Sequence, residues 1–137
     1  MADALKDALD AFAGALALAL PARLVTRDFR PLAQRVEAEI EQGVVSVVCL
    51  GEKDYANYRG READLGTLSV MIVAQLKVTE DAAPSELEDA EFALAGEIKA
   101  ALSGPLPVRQ ALTSGFRQSG QIEFPYGWVA FECEVMT

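Results

Sequence analysis

The sequence predicts an α+β fold: a mostly antiparallel β-sheet flanked by an N-terminal helix and a second amphipathic helix. Three stretches predict it. Asp64–Val78 (DLGTLSVMIVAQLKV) alternates, with Leu68, Val70, Ile72, Ala74, Leu76 and Val78 on an apolar face and Thr67, Ser69, Met71, Val73, Gln75 and Lys77 on a mixed one. That period of two belongs to a strand. Tyr126–Met136 (YGWVAFECEVM) repeats the pattern, setting Val129, Phe131, Cys133 and Val135 against Ala130, Glu132 and Glu134. Between them, Leu87, Leu94, Ile98 and Ala101 recur at helical spacing. The length of 137 residues suits a single domain spanning 1–137.

In chain order, Ala2–Leu20 reads as a helix, because Leu5, Leu9, Phe12, Leu16 and Leu20 share one stripe. Asp3, Asp7 and Asp10 sit in its early turns, where the helix dipole favours them, and Pro21 ends it. Its apolar run Ala11–Leu20 is shorter than the roughly 20 residues of a membrane span and lacks a positive start. The expectation is a soluble chain of cytoplasmic origin. Ala22–Phe29 reads as a short extended segment, and Pro31–Gln42 as a helix with Leu32, Val36 and Ile40 on one side. Gly43 suits its C-terminal cap. Val44–Leu50 (VVSVVCL) is expected to be a central strand buried on both faces.

Gly51–Asp64 is a polar loop carrying Tyr55, Tyr58, Arg59 and Arg61, residue types enriched at protein interfaces. Ser85–Glu88 matches a capping box for the helix that runs to Ser103, and Gly104–Pro105 stops it. Leu106–Gln121 carries weak signals and reads as loop with one short strand at most.

The formal net charge of −9 argues against phosphate-driven binding of DNA or RNA, which needs a basic field. With no histidine, the commonest general base and metal ligand is missing. Glycine-rich phosphate loops and Cys-x-x-Cys pairs are absent as well. Glu132/Glu134 and Glu86/Glu88 read as solvated carboxylates. Asp54 and Asp64 lack the pattern of a calcium loop. Cys49 and Cys133 read as two buried thiols. No enzyme, cofactor or metal site is expected. Arg23, Arg27, Arg30 and Arg35 concentrate four of the twelve basic residues in one short segment. They suit salt bridges to the acid-rich helices, or a contact with an acidic partner that in a homo-oligomer is the next copy. The candidate interface residues are therefore Arg23, Arg27, Arg30, Tyr55, Tyr58, Arg59 and Arg61. The mixed face of the long strand is where helix packing or a neighbouring subunit is expected.

This element order, with the local texts FRPLA (Phe29–Ala33), VVSVVCLGEKD (Val44–Asp54), LSVMIVAQLKVTED (Leu68–Asp81) and WVAFECEVM (Trp128–Met136), resembles the tail terminator (tail completion) proteins of long-tailed bacteriophages. The likeness covers most of the chain and is one of order and texture. It implies a structural virion protein that forms a homohexameric ring at the head-proximal end of the tail tube. Such a ring stops tube polymerisation and joins tail to head. The implied partners are further copies of the chain, the major tail tube protein, and a neck or head-completion protein. DNA would pass through the ring without sequence-specific binding, and no membrane is involved. Two other readings stay open: another neck component, such as a head-completion or stopper protein, and a small acidic cytoplasmic binding module.

Overall fold

A computed structural model of the chain describes residues 3–53, 66–108 and 110–136. The fold is α+β. In chain order its elements are α1 (Asp3–Ala19), β1 (Leu24–Thr26), a 3-10 turn (Leu32–Gln34), α2 (Glu37–Gln42), β2 (Val44–Lys53), β3 (Thr67–Lys77), α3 (Pro84–Ser103), β4 (Gln110–Gln118) and β5 (Tyr126–Met136). The strands form one five-stranded sheet in the order β1-β2-β3-β5-β4. Among the described strands only the β1–β2 pair is parallel.

The long alternating strand is the spine. β3 pairs with β5 over its whole length, from Thr67↔Met136 to Lys77↔Tyr126. One face of each strand is dry: Leu68, Val70, Ile72, Ala74, Val129, Phe131, Cys133 and Val135 are all buried. Onto that face pack Leu9, Phe12 and Leu16 of α1 and Leu87, Leu94 and Ile98 of α3, forming the main core cluster. Phe116 of β4 extends it, its ring centroid 5.1 Å from that of Phe131. Both helices thus cover the same face, as their apolar stripes required.

The other face is covered at one end only. Ile40 of α2, with Val44 and Val73 of the sheet, is buried there outside the main cluster. The backbone leading into α2 is pinned to the same face by a hydrogen bond from Gln75 Nε2 to the Arg30 carbonyl (2.9 Å).

Several sequence expectations need correction. The helix expected from Pro31 to Gln42 is broken. Arg35 and Val36 are extended (ψ 146° and 134°), so Val36 caps α2 and is 63% exposed instead of joining an apolar stripe. The capping box does not form: α3 starts at Pro84 after Ala83, which puts Ser85 inside the first turn. Proline has no N–H to satisfy, so the first helical position suits it. The 106–121 stretch contains the nine-residue strand β4, whose scattered apolar residues hid it because a bulge at Thr113/Gly115 breaks the alternation.

β2 is buried on both faces only through Val47; Cys49 and Leu50 are exposed. The cause is the shortness of β1, whose three residues reach only as far as Ser46. Of the two thiols, Cys133 alone is buried.

Candidate functional site

The arginine segment is largely spent within the chain. Arg23 reaches over Gly43, which has a positive φ (95°) and, being glycine, no Cβ in the way; a Cβ there would lie 2.9 Å from Arg23 Nη1. The guanidinium then donates to the Gln42 carbonyl (2.8 Å) and to both carboxylate oxygens of Glu97 on α3 (3.1 and 2.6 Å). This bidentate pair ties β1, the end of α2 and α3 together. Arg27 pairs with Asp10 of α1 (2.8 Å), which Lys6 also reaches (2.8 Å). Asp10 is held below its ordinary pKa, first by the Lys6 hydrogen bond and then by that of Arg27. Arg35 turns inward and donates to the Asp28 carbonyl and Ser46 Oγ. Arg30 is exposed and, among the described residues, makes no ion pair. It is the member of the set left available to a partner. Tyr55, Tyr58, Arg59 and Arg61 lie outside the described residues, as do Asp54 and Asp64.

The structure draws attention instead to the uncovered sheet face. There Phe29, Pro31 and Leu32 face Met71, Val73, Trp128 and Ala130 across an apolar groove of about 480 Å³, with Gln75, Arg117 and Glu123 completing its wall. Phe29 is 45% exposed. Gln75 is buried, and among the described residues its Oε1 has no hydrogen-bond partner. The sequence contained a partial signal, since Met71, Val73 and Gln75 lie on the mixed face of the long strand. Trp128 and Ala130 join them because β5 pairs with β3 in the register Val73↔Ala130 and Gln75↔Trp128.

A second cluster surrounds Lys77. Its ammonium pairs with Glu37, and the Tyr126 hydroxyl donates to the same carboxylate (3.0 Å). Glu37 is lowered by these two hydrogen bonds, that of Lys77 first; Lys77 and Tyr126 are both raised, chiefly by Glu37. This is a clamp holding α2 to the β3–β5 pair, and each charge in it is structural. Glu91 of α3 was missed by sequence reading. It is buried, and accepts from Ser119 Oγ, from Gln118 Nε2 (3.2 Å) and from the Trp128 backbone N–H (3.1 Å).

Among the described residues no group of three or more His, Cys, Asp or Glu side chains is placed to hold a metal ion. The Cys133 thiol is pushed up by burial. Among the described residues no helix is long and apolar enough to cross a membrane. The chain matches no protein-family model, and a search of curated proteins found no match.

Proposed function

We propose that this chain is a structural subunit of a bacteriophage tail: a terminator that closes into a homohexameric ring at the head-proximal end of the tail tube, stops tube growth and joins tail to head. The observation carrying this reading is the one-sided sheet. Its helix-covered face is a finished core, while the opposite face offers an apolar groove that nothing in the described chain fills. A subunit with one finished and one unfinished face suits assembly. Closed rings need two different complementary patches on each copy, so that contacts run head to tail until they close. The order of elements and the local texts of the resembling family support the specific identity. The net charge of −9 suits a wall past which a polyanion slides.

The test is direct. Purified protein is expected to give rings of six copies by electron microscopy and native mass measurement, and host cells assembling tails without it are expected to make overlong tubes. A chain that stays monomeric at all concentrations, with tail length unchanged in its absence, overturns the reading. The groove itself favours the small binding module as the second reading, for which monomers that bind a basic protein would be the sign.

A further inference from the structure

The outer side of the helix layer is as unfinished as the open face of the sheet. Around α3, Leu87, Glu91, Leu94 and Ile98 are buried, while the opposite side of the helix presents Asp89, Phe92, Ala93, Gly96 and Ala100 to solvent. Phe92 is 49% exposed, an aromatic ring where a helix facing only water carries polar residues. Gly96 lies one turn further along. Glycine in mid-helix costs stability, yet nothing lies within 4 Å of where a Cβ at Gly96 would stand. Nothing in the described chain calls for a glycine there; a surface laid closely against the helix from outside does. Asp89, one turn before Phe92, is exposed and makes no ion pair among the described residues.

We propose that the outer side of α3 in one copy packs on the open sheet face of the next, seating Phe92 in the groove lined by Phe29, Met71 and Trp128 and bringing Asp89 to Arg30. The two patches are complementary in polarity and charge. The groove is apolar, and Arg30, between its wall residues Phe29 and Pro31 in sequence, makes no ion pair among the described residues. The helix offers an aromatic ring with an unpaired carboxylate a turn away, and it carries no basic residue before Lys99. An aromatic anchor in an apolar pocket is where stable interfaces concentrate their energy. Because α3 and the groove lie on opposite faces of one sheet, no chain can fill its groove with its own α3. The contact is therefore heterologous, front to back, and runs from copy to copy until it closes. Residues 54–65 join β2 to β3 at the Lys53/Thr67 end of the sheet, whereas the groove spans Met71 to Gln75 toward the other end. This inference deepens the ring reading and rests on it.

Disulfide trapping tests it. Ala93 on the outer side of α3 and Ala33 on the groove wall are both exposed and lie on opposite sides of the sheet, so a bond between them has to join two copies. In a Cys49→Ser, Cys133→Ala background, Ala33→Cys with Ala93→Cys is expected to oxidise into a ladder at multiples of 14.7 kDa. Asp7→Cys with Ala93→Cys, which puts both thiols on the helix layer, should stay monomeric on the denaturing gel. In the otherwise wild-type chain, Phe92→Glu is expected to weaken self-association by about tenfold or more in sedimentation, with circular dichroism unchanged because Phe92 lies outside the core. Met71→Cys in the same background as the pair should react with a maleimide in dilute monomer and be protected in the assembly. Suppose the parent assembles, but the Ala33/Ala93 pair gives no ladder, the control ladders equally, or Phe92→Glu assembles as the parent does. Face-to-back docking is then overturned and the ring reading stands. Protection of Met71→Cys already in the monomer means a groove filled from within its own chain, and overturns the docking too. If the parent is monomeric at every concentration, both fall.

Discussion

Glu91 is a carboxyl group sealed between a helix and a hairpin, and its three donors come from parts of the chain far from it in sequence. Each hydrogen bond to a charged group contributes about 1.5–3 kcal/mol, and a buried donor left unpaired costs about 1–3 kcal/mol. Glu91→Ala is therefore expected to destabilise the fold by about 3–5 kcal/mol, read as a drop in the urea midpoint. Glu91→Gln, which keeps the shape, should lose less. Gly127 is the matching constraint on the strand side: a Cβ there would overlap Glu91 Oε2 and come within 2.8 Å of Leu87 Cδ1. Gly127→Ala should thus cost about 1–3 kcal/mol through overpacking, with the same readout. Neither residue was legible in the sequence. Glu91 stands among other acidic residues on α3, and nothing local distinguishes a carboxyl that meets water from one that meets Ser119 and the Trp128 amide. The paired roles of Arg23 and Arg27 were legible as one of two alternatives, because acid-rich helices flank their segment; their partners Glu97 and Asp10 were not.

At the scale of elements, strict alternation made β3 and β5 readable and helical stripes made α1 and α3 readable, since each has one face committed to the core. Elements whose neighbours decide their burial were misread. β2 is dry or wet according to where β1 stops, and β4 is shaped by its bulge against β5. Truncating the spine should show its weight: Ile72→Ala, at a fully buried position, is expected to cost about 2–5 kcal/mol in chemical denaturation. The attachment of α2 depends on pH. Glu37 titrates below its ordinary 4.5 when folded, so its contribution is complete above that value and disappears as pH falls through the lowered one. Lys77 and Tyr126 are raised, so theirs persist below about pH 10 and are lost as pH rises further. The protection factors of the Glu37–Gln42 amides, that is exchange relative to the intrinsic rate at each pH, should accordingly fall at both extremes and stay high between. Protection factors that do not change with pH would show that the clamp contributes nothing.

For the whole molecule, charge and assembly pull against each other. Copies that each carry a net charge of −9 repel at low ionic strength, and screening over a Debye length of about 8 Å at physiological salt relieves much of that. A contact between copies carried by apolar side chains, such as the exposed Leu50 and Leu112, would depend little on salt. Self-association is thus expected to strengthen several-fold from about 10 mM to about 150 mM salt, as followed by sedimentation. A contact carried by arginine–carboxylate pairs would weaken instead. Arg30→Glu tests the remaining share of such pairing, because it breaks no ion pair within the described chain.

The groove on the open face contains the chain's single tryptophan, Trp128, which lines it together with Phe29 and Met71. The protein therefore carries its own optical probe at the place where its surface is unfinished. Emission from Trp128 should shift to shorter wavelength when another copy, or a tail component, displaces water from that hollow. Arrival of a partner can then be timed in unlabelled wild-type protein.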